Sequence, residues 1–356
     1  MIPNSNISGH IPVLHGGIFS IPNMGNDTID FSSNVSPLGP PPRVRKAIQY
    51  NLDVLQTYPD SESKNLRKAL QDYTGISSSR IVVGNGATEI IYNFCRAFLS
   101  CKMPVLIPVP TFGEYEAAAK LAGSRPSFFK TMNLTDDIAP FLSKLPRNGC
   151  VFLCNPNNPT GALVSSKVVS RIVREAKKKN TLVFLDECFI ELASCGKSAI
   201  NIARRNENLF ILRSLTKSFA LAGIRIGYGI GSKNVASVLN RIKIPWNVSG
   251  FAQKAAEIAL SDLHHLKKAK MLVMREATFL YREIGKLDGF ECYEPSANFM
   301  LIKTESDSTL LQKKLLKRNI LIRDCKSFRE LGNGFVRVAV RGRKENKKLV
   351  EALATL

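Results

Sequence analysis

Seven short apolar runs alternate with stretches of helical periodicity over the first two thirds of this chain. The runs lie at residues 80–83, 105–107, 127–129, 151–154, 182–185, 210–212 and 224–230. Runs of this length separated by helical segments are typical of strand–helix–strand units, in which helices cover the faces of a parallel sheet. We therefore expect an α/β fold with a mostly parallel, seven-stranded sheet flanked by helices.

A different pattern occupies the last third of the chain. A long helical stretch at about residues 252–284 precedes short strands and a terminal helix. A chain of 356 residues can bury more than one core and normally forms two domains. We predict a large α/β domain at residues 46–250 and a small α+β domain at residues 251–356, which the N-terminal segment 1–45 joins.

The most informative local segment surrounds Lys217. Residues 214–219 read Ser-Leu-Thr-Lys-Ser-Phe and come after the apolar run 209–212, and Arg225 follows eight positions after the lysine. Hydroxyl groups and a guanidinium can hold a phosphate by charge-assisted hydrogen bonds, and a lysine can form an imine with a carbonyl cofactor. The alternative is a surface lysine on an ordinary loop, and this segment by itself leaves both open.

Two further polar clusters follow apolar runs. Asp186 follows the run 182–185 directly, and a carboxylate at such a position is costly to bury without a partner. The alternative is that Asp186 caps the next segment. Asn158 lies in the segment 155–161, which reads Asn-Pro-Asn-Asn-Pro-Thr-Gly and predicts a tight turn. Open α/β sheets bind ligands at the carboxyl ends of their strands, so we expect Lys217, Asp186 and Asn158 to meet there.

Together these clusters resemble the fold-type I pyridoxal-phosphate enzymes, in the branch that contains the histidinol-phosphate aminotransferases and the threonine-phosphate decarboxylases. The resemblance covers residues 15–341, nearly the whole chain. It implies that the cofactor is pyridoxal phosphate and that Lys217 is the catalytic lysine that forms the imine with it. It also implies that Asp186, the second catalytic residue, pairs with the pyridine nitrogen. Asn158 would face the ring oxygen and the substrate, and Phe112 would stack on the ring.

The same resemblance implies how the cofactor's phosphate group is held. A helix that begins after the run 80–83 would offer backbone N–H groups to the anion, which is a common property of helix N-termini. Tyr58, in a Tyr-Pro-Asp segment, resembles a tyrosine that reaches the phosphate from the neighbouring subunit, so a homodimer is implied. The other implied phosphate contacts are Gly86, Ala87, Thr88, Ser214, Thr216 and Arg225.

Four details favour the decarboxylases within this branch. Residues 31–40 resemble a decarboxylase segment that reads Asp-Phe-Ser-Ala-Asn-Ile-Asn-Pro-Leu-Gly, and residues 15–17 match a short His-Gly-Gly element of the same enzymes. Residues 245–248 resemble their Pro-Trp-Ser-Val segment. Phe189 stands where the aminotransferases usually carry a tyrosine near the ring oxygen, although a phenylalanine after a strand is more often part of the core.

The implied reaction is decarboxylation of L-threonine O-3-phosphate to (R)-1-aminopropan-2-yl phosphate and CO2, a step of cobalamin (cobamide) biosynthesis. A histidinol-phosphate aminotransferase, or another aminotransferase of this type, is the close alternative. L-Serine O-phosphate is an alternative substrate for a decarboxylase. Substrate orientation decides between the reactions, and one methyl group is worth only about 1–3 kcal/mol of discrimination, so no motif distinguishes the substrates.

Side chains that would bind a phosphorylated amino acid come from both ends of the chain. Arg323 and Arg337 interrupt apolar runs, where each is either a solvated edge residue or a buried anion ligand, and the resemblance favours the ligand role. His15 and Asn34 are implied to complete the phosphate pocket, whereas a lone histidine in a loop is otherwise more often an exposed bystander. Arg341 is a weaker third candidate.

Composition argues against several other functions. No apolar run reaches the 18 residues of a membrane span, and the polar N-terminus lacks a secretion signal, so we expect a cytoplasmic protein. Eight scattered cysteines and four histidines show no metal-binding spacing. The formal net charge of +21 raises the question of nucleic-acid binding, but the basic clusters have helical spacing and little aromatic interleaving. We therefore expect neither specific nucleic-acid binding nor a non-catalytic DNA-binding regulator, and the charge could instead attract anionic substrates.

Overall fold

The computed structural model describes residues 5–22 and 27–356. The strands within them are β1 (Ile29–Asp30), β2 (Ile81–Gly84), β3 (Val105–Val109), β4 (Pro126–Lys130), β5 (Cys150–Cys154), β6 (Leu182–Asp186), β7 (Leu209–Ser214), β8 (Gly227–Ile230), β9 (Phe290–Cys292), β10 (Phe299–Thr304), β11 (Ile320–Leu321), β12 (Arg323–Asp324) and β13 (Phe335–Ala339). The α-helices are α1 (Ser5–Ser8), α2 (Pro42–Tyr50), α3 (Lys64–Thr74), α4 (Gly86–Phe98), α5 (Glu114–Leu121), α6 (Ile138–Lys144), α7 (Ser166–Lys178), α8 (Ile200–Ala203), α9 (Leu215–Ser218), α10 (Lys233–Ile242), α11 (Gly250–Ser261), α12 (Leu263–Ile284), α13 (Ser308–Leu316) and α14 (Arg343–Ala354). Over these residues, no helix combines the length and the apolar character needed to span a membrane.

Seven strands form the central sheet, in the order β2-β8-β7-β6-β5-β3-β4. Strand β8 runs antiparallel to its two neighbours, β2 and β7, and the other neighbouring pairs are parallel. The register places Cys154 beside Asp186 and Asp186 beside Leu212, so the carboxyl ends of β5, β6 and β7 meet at one edge. The predicted α/β fold with a mostly parallel, seven-stranded sheet is confirmed.

Both faces of this sheet are buried, because successive side chains of a strand point to opposite sides. On β6, Val183 and Leu185 belong to one hydrophobic core and Phe184 to the other. Helices α3, α7 and α11 cover the first face, and α4, α5 and α10 cover the second. Strands that are buried on both faces need apolar residues at successive positions rather than at every second one. The continuous apolar runs in the sequence of this region fit that requirement.

A second sheet is antiparallel, with the order β12-β13-β10-β9. It packs with α12, α13 and α14 around a separate hydrophobic core that includes Leu280, Leu311 and Leu349. Strand β1 pairs in parallel with β11, at Ile29 beside Ile320, and so attaches an N-terminal segment to this part of the chain. The proposed division into three segments at residues 45 and 250 stays a prediction.

Two predicted elements differ from the structure in detail. The strand predicted at 224–230 begins only at Gly227, because residues 222–224 form a 3-10 turn and Arg225 has left-handed backbone with φ of 58°. The long helical stretch expected at about 252–284 is divided into two helices, α11 and α12. They are separated at Asp262, whose side chain accepts a hydrogen bond from the His265 N–H at 3.0 Å and so starts α12.

Candidate active site

A cavity of about 890 Å³ lies at the carboxyl ends of β5, β6 and β7. It is lined by both sheets and by two N-terminal stretches, residues 13–16 and 32–34. The predicted site residues that line it are His15, Asn34, Ala87, Thr88, Phe112, Asn158, Asp186, Ser214, Thr216, Lys217, Arg225, Arg323 and Arg337. Groups separated by more than 300 positions in the sequence therefore share one cavity.

Lys217 lies on the short helix α9, which begins directly after β7. The Ser214 side chain caps this helix by accepting from the Thr216 N–H, and Ser36 N donates to the carbonyl of Lys217 at 3.0 Å. Burial lowers the pKa of Lys217 from 10.5 to about 8, and the positive charges of Arg337 and Arg225 act in the same direction. A larger fraction of such a lysine is deprotonated near neutral pH than of a surface lysine, so its amine is available as a nucleophile or base.

Asp186 ends β6 and is 5% exposed. Tyr115 Oη donates to its Oδ2 at 2.7 Å, and the backbone N–H of Cys188 donates to its Oδ1 at 2.8 Å. Burial raises the pKa of Asp186, because the charged form loses water, while these hydrogen bonds act to lower it. No basic side chain of the described residues forms an ion pair with Asp186, so this carboxylate can serve a cationic group bound in the cavity.

The hydroxyls of Ser214 and Thr216 lie 2.6 Å apart, and the N-terminus of α4 faces the same part of the cavity. Arg225 lies against Gly86, where an added Cβ would be 2.5 Å from the guanidinium. Gly86 also has φ of 80°, so a larger residue would be strained as well as obstructive. Hydroxyl groups, a guanidinium and helix N–H groups together can bind a phosphate dianion.

Arg337 is 6% exposed and fixes Asn158 from the second sheet. Its Nη1 donates to Asn158 Oδ1, and its Nη2 donates to the carbonyl of Ser32 at 2.6 Å. Because the amide oxygen of Asn158 is engaged, its amide nitrogen remains as a donor toward an oxygen in the cavity. Burial lowers the pKa of Arg337 to about 10, and Nε has no hydrogen-bond partner within residues 5–22 and 27–356.

His15 and Arg323 lie toward the mouth of the cavity. His15 Nε2 is 2.7 Å from Glu114 Oε1, and Tyr92 Oη donates to Glu114 Oε2 at 2.6 Å. Arg323 Nη2 donates to the carbonyl of Leu14 at 2.6 Å and thereby holds the N-terminal stretch over the cavity. The ring centroids of His15 and Phe112 are 5.9 Å apart, so both rings lie on the same side of the cavity.

Of the four other residues that the sequence singled out, Tyr58, Gly86 and Arg341 lie outside the cavity lining and Phe189 lies within it. Tyr58 is 80% exposed, does not line the cavity and stacks on Trp246 with ring centroids 4.7 Å apart. Gly86 lies behind Arg225, and Arg341 pairs with Glu345 at 3.1 Å outside the cavity lining. Phe189 lines the cavity, with its ring centroid 5.9 Å from Lys217 Nζ.

Sequence analysis missed Tyr115 and Glu114, which hold Asp186 and His15. Tyr115 is 71 positions from Asp186 and Glu114 is 99 positions from His15, so no local pattern connects either pair. A third omission had a signal. Arg213 stands in an otherwise apolar run, and a charged residue in a buried strand needs a partner. In the described residues, no cluster of three or more His, Cys, Asp or Glu side chains could bind a metal ion.

Comparison with known proteins places this geometry in a family. The family model for aminotransferase class I and II matches residues 26–353. The chain belongs to this family. A putative threonine-phosphate decarboxylase of Caldanaerobacter subterraneus subsp. tengcongensis is 37% identical over 97% of this chain and 94% of its own length. Histidinol-phosphate aminotransferase 2 of Archaeoglobus fulgidus is 32% identical over 95% of each chain.

Solved structures agree with this family assignment. The histidinol-phosphate aminotransferase of Clostridium acetobutylicum superposes with a TM-score of 0.84 at 32% identity, over 91% of this chain and 98% of the other. The protein is an enzyme of the pyridoxal-phosphate-dependent aminotransferase class I and II family, and its cofactor is pyridoxal phosphate. The cavity fits that cofactor: Lys217 is available for an imine, Asp186 lacks a cationic partner among the described residues, and Ser214, Thr216 and Arg225 can hold a phosphate.

Proposed function

We propose that the protein decarboxylates L-threonine O-3-phosphate to (R)-1-aminopropan-2-yl phosphate and CO2, as a step of cobalamin (cobamide) biosynthesis. The observation that carries this proposal is that His15 and Asn34 line the same cavity as Arg323 and Arg337. These groups can bind two anions, which a phosphorylated amino acid has in its phosphate and carboxylate. The 37% identical relative named as a putative threonine-phosphate decarboxylase supports the same reading.

Residue roles follow from the contacts around the cavity. Bound pyridoxal phosphate supplies an electron sink that stabilises negative charge at the substrate's α-carbon. Asp186, which accepts a hydrogen bond from Tyr115, would pair with the pyridine nitrogen and favour its protonated form. Lys217 has a lowered pKa of about 8 and can give a proton to the α-carbon or take one from it.

The anion pocket decides which bond at the α-carbon reacts. Arg337 is rigid, because it is buried and donates to both Asn158 and Ser32, and it is suited to a carboxylate. Arg323 and His15 lie nearer the mouth and are suited to a phosphate. If these contacts hold the carboxylate perpendicular to the cofactor ring, the reaction is decarboxylation, and the chain needs no further catalytic group for it.

Histidinol-phosphate amino transfer is the second candidate. The 32% identity to an enzyme of that name over 95% of the chain supports it, and the same lysine and aspartate could perform it. In that reaction, the bond that would lie perpendicular to the cofactor ring is the one between the α-carbon and its hydrogen. The two candidates therefore differ in substrate orientation rather than in the groups that act on the cofactor.

We also propose a homodimer in which Tyr58 reaches the phosphate of the neighbouring subunit's cofactor. Tyr58 and Trp246 are 80% and 50% exposed, and other large apolar side chains are exposed in the same segments, namely Tyr50, Leu52, Leu55 and Ile244. Exposed apolar clusters of this kind commonly mark interfaces between protein subunits. Light scattering during gel filtration tests the dimer, and a monomer at micromolar concentration would contradict it.

The reaction is tested by incubating the holoenzyme with O-phosphothreonine, without a keto acid, and analysing the products by mass spectrometry. Catalytic formation of aminopropanol phosphate with release of CO2 is the expected result. The Lys217→Ala variant is the control, and we expect its turnover to fall by about 10³-fold or more because the imine-forming amine is absent. Amino transfer from histidinol phosphate to 2-oxoglutarate, with no decarboxylation, would overturn the proposal, and phosphoserine turnover would show a different decarboxylase substrate.

A further inference from the structure

A buried group of polar side chains lies behind the wall of the cavity that carries Lys217, and the roles described so far do not use it. Arg213 and Glu187 are 4% and 1% exposed. Arg213 Nη1 donates to Glu187 Oε2 at 2.9 Å, and its Nη2 donates to Glu191 Oε1 at 2.8 Å. We call this group the rear network; its members are Tyr73, Glu187, Glu191, Ser198, Arg213 and Ser218.

The two carboxylates of the rear network have further donors. Glu187 accepts from Ser198 Oγ and from the Ala199 N–H, both at 2.6 Å. Glu191 accepts from Tyr73 Oη at 2.7 Å and from Ser218 Oγ. Each of the four carboxylate oxygens therefore accepts at least one hydrogen bond, and the network joins α3, β7, α9 and the segment that follows β6 into one rigid unit.

Charge balance keeps Arg213 ionised inside this network. Burial by itself lowers the pKa of Arg213, but nearby groups that include Glu191 and Glu187 more than offset this and raise the pKa well above its ordinary value. Buried ion pairs seldom add net stability compared with well-packed apolar residues. The network consequently needs an explanation other than stability of the fold.

Its position in the chain supplies that explanation. Three members are direct chain neighbours of residues that line the cavity: Glu187 follows Asp186, Arg213 precedes Ser214, and Ser218 follows Lys217. Each of these segments presents one side chain to the cavity and the adjacent one to the rear network. The network therefore connects, from behind, the three segments that meet the cofactor.

The segment that carries the lysine has little support of its own. Helix α9 is only four residues long, and helices of one turn are held weakly by their own hydrogen bonds. One external anchor is the Ser36 N–H, which donates to the carbonyl of Lys217. A second anchor is the hydroxyl of Ser218, which donates to Glu191. A small displacement of α9 would move the lysine amine relative to Asp186.

We propose that Glu191 and Arg213 are positioning residues for Lys217, because they hold α9, through Ser218, where the lysine amine reaches the cofactor. They touch neither cofactor nor substrate. The inference rests on the role given to Lys217 under the proposed function, but it holds equally for decarboxylation and for amino transfer.

The test compares Ser218→Ala and Glu191→Gln holoenzymes with a matched control, Glu175→Gln. Glu175 accepts a hydrogen bond from Lys178 at 2.9 Å in a solvent-facing pair on α7. The Glu175→Gln substitution therefore removes one carboxylate charge without disturbing the cavity. The first readout is the pH titration of the visible absorbance of the lysine-bound cofactor, recorded without substrate. We expect its apparent pKa to move by about half a unit or more in both test variants, and to stay unchanged in the control.

The second readout separates kcat from KM. Misplacement of a reacting group lowers turnover with little effect on substrate binding, so we expect kcat to fall roughly 10- to 100-fold and KM to stay within about twofold. Unchanged titration and kcat in folded variants would overturn the proposal. It would equally be overturned if only the melting temperature fell while kcat per bound cofactor stayed normal, because the network would then be purely structural.

Two safeguards keep the outcome interpretable. If Glu191→Gln does not fold, Ser218→Ala decides, because it removes a single hydroxyl and leaves the ion pairs in place. If the absorbance titration shifts while the wild-type enzyme forms no product from O-phosphothreonine, the proposed substrate is wrong and the positioning role stands.

Discussion

Behind the inner wall of the cavity, which we call its floor, Arg213 pairs with Glu187 and Glu191, and at the mouth Arg329 pairs with Glu116. The N–O distances are similar, 2.8 and 2.9 Å at the floor and 2.6 Å at the mouth. Exposure differs, because the Arg213 side chain is 5% exposed and the Arg329 side chain 41%. Breaking a buried pair costs about 3–5 kcal/mol, whereas exposed pairs contribute about 0–1 kcal/mol. Burial rather than distance therefore distinguishes a rigid floor from an adjustable mouth.

The same contrast separates the two arginines proposed to bind substrate. Arg337 donates to Asn158 and Ser32 from a buried position, whereas Arg323 contacts Leu14 and Ser327 nearer to solvent. Since a buried arginine is fixed before the substrate arrives, it loses less freedom on binding than an exposed one. Interactions at the floor should consequently affect catalysis more strongly than those at the mouth.

Replacing Arg337 should have the largest effect. The Arg337→Met variant leaves Asn158 Oδ1 and the Ser32 carbonyl without their donor, and it removes a buried cation from the proposed substrate pocket. We expect kcat/KM to fall by about 10²- to 10³-fold, against about 10-fold for Arg323→Met. Steady-state kinetics of the two variants measure the ratio. Equal losses of kcat/KM in the two variants would show that the buried arginine is no more important for catalysis than the arginine at the mouth.

The buried Lys217 should make stability depend on pH. Its pKa is about 8 in the folded chain and 10.5 in the unfolded one, so between these values the unfolded chain binds more protons. The contribution of Lys217 therefore leaves the free energy of unfolding at its highest above pH 10.5. As pH falls from 10.5 toward 8, the free energy of unfolding decreases by about 3 kcal/mol in total. Urea unfolding of cofactor-free wild type and Lys217→Met measures the difference at several pH values. A difference that does not vary with pH would contradict the lowered pKa.

A moderate effect is expected where Glu114 holds His15. Burial raises the pKa of Glu114, but hydrogen bonds from His15 and Tyr92 more than offset this, and the pKa lies below its ordinary value. We expect Glu114→Gln to raise KM about fivefold with little change in kcat, since it loosens His15, which we propose as a substrate-binding group. In a double-mutant cycle, Glu114→Gln should have almost no further effect once His15 is replaced by Asn. Additive effects would show that Glu114 does not act through His15.

The smallest effect should come from the Arg329–Glu116 pair. Arg329 also lies over the Phe128 ring, with its guanidinium carbon 4.1 Å from the ring centroid, so part of its contribution is independent of Glu116. We expect Glu116→Gln to change the free energy of unfolding by less than about 1 kcal/mol, and by less still at high salt. Urea unfolding at two salt concentrations measures this change. A change of several kcal/mol would show that the exposed pair at the mouth contributes as much to stability as the buried pairs at the floor.

Local sequence patterns determined the central sheet and the groups at its carboxyl edge. The apolar runs predicted seven strands because a sheet buried on both faces requires continuous apolar segments. Lys217, Asp186 and Asn158 were identifiable because each lies within five residues after the end of such a run. The bounds failed where one residue changes the path of the chain, at Arg225 with its left-handed backbone and at Asp262 with its capping side chain.

Only the tertiary structure decided which of these groups have partners. Asp186 is held by Tyr115, and Asn158 by Arg337, which is 179 positions away. The link from Ser218 through Glu191 to Arg213 likewise appears only when α9, β7 and the turn after β6 are packed together. Periodicity and spacing report on contacts within a few turns of the chain, whereas these hydrogen bonds depend on how separate elements pack, and that packing is set by the two cores on either side of the sheet.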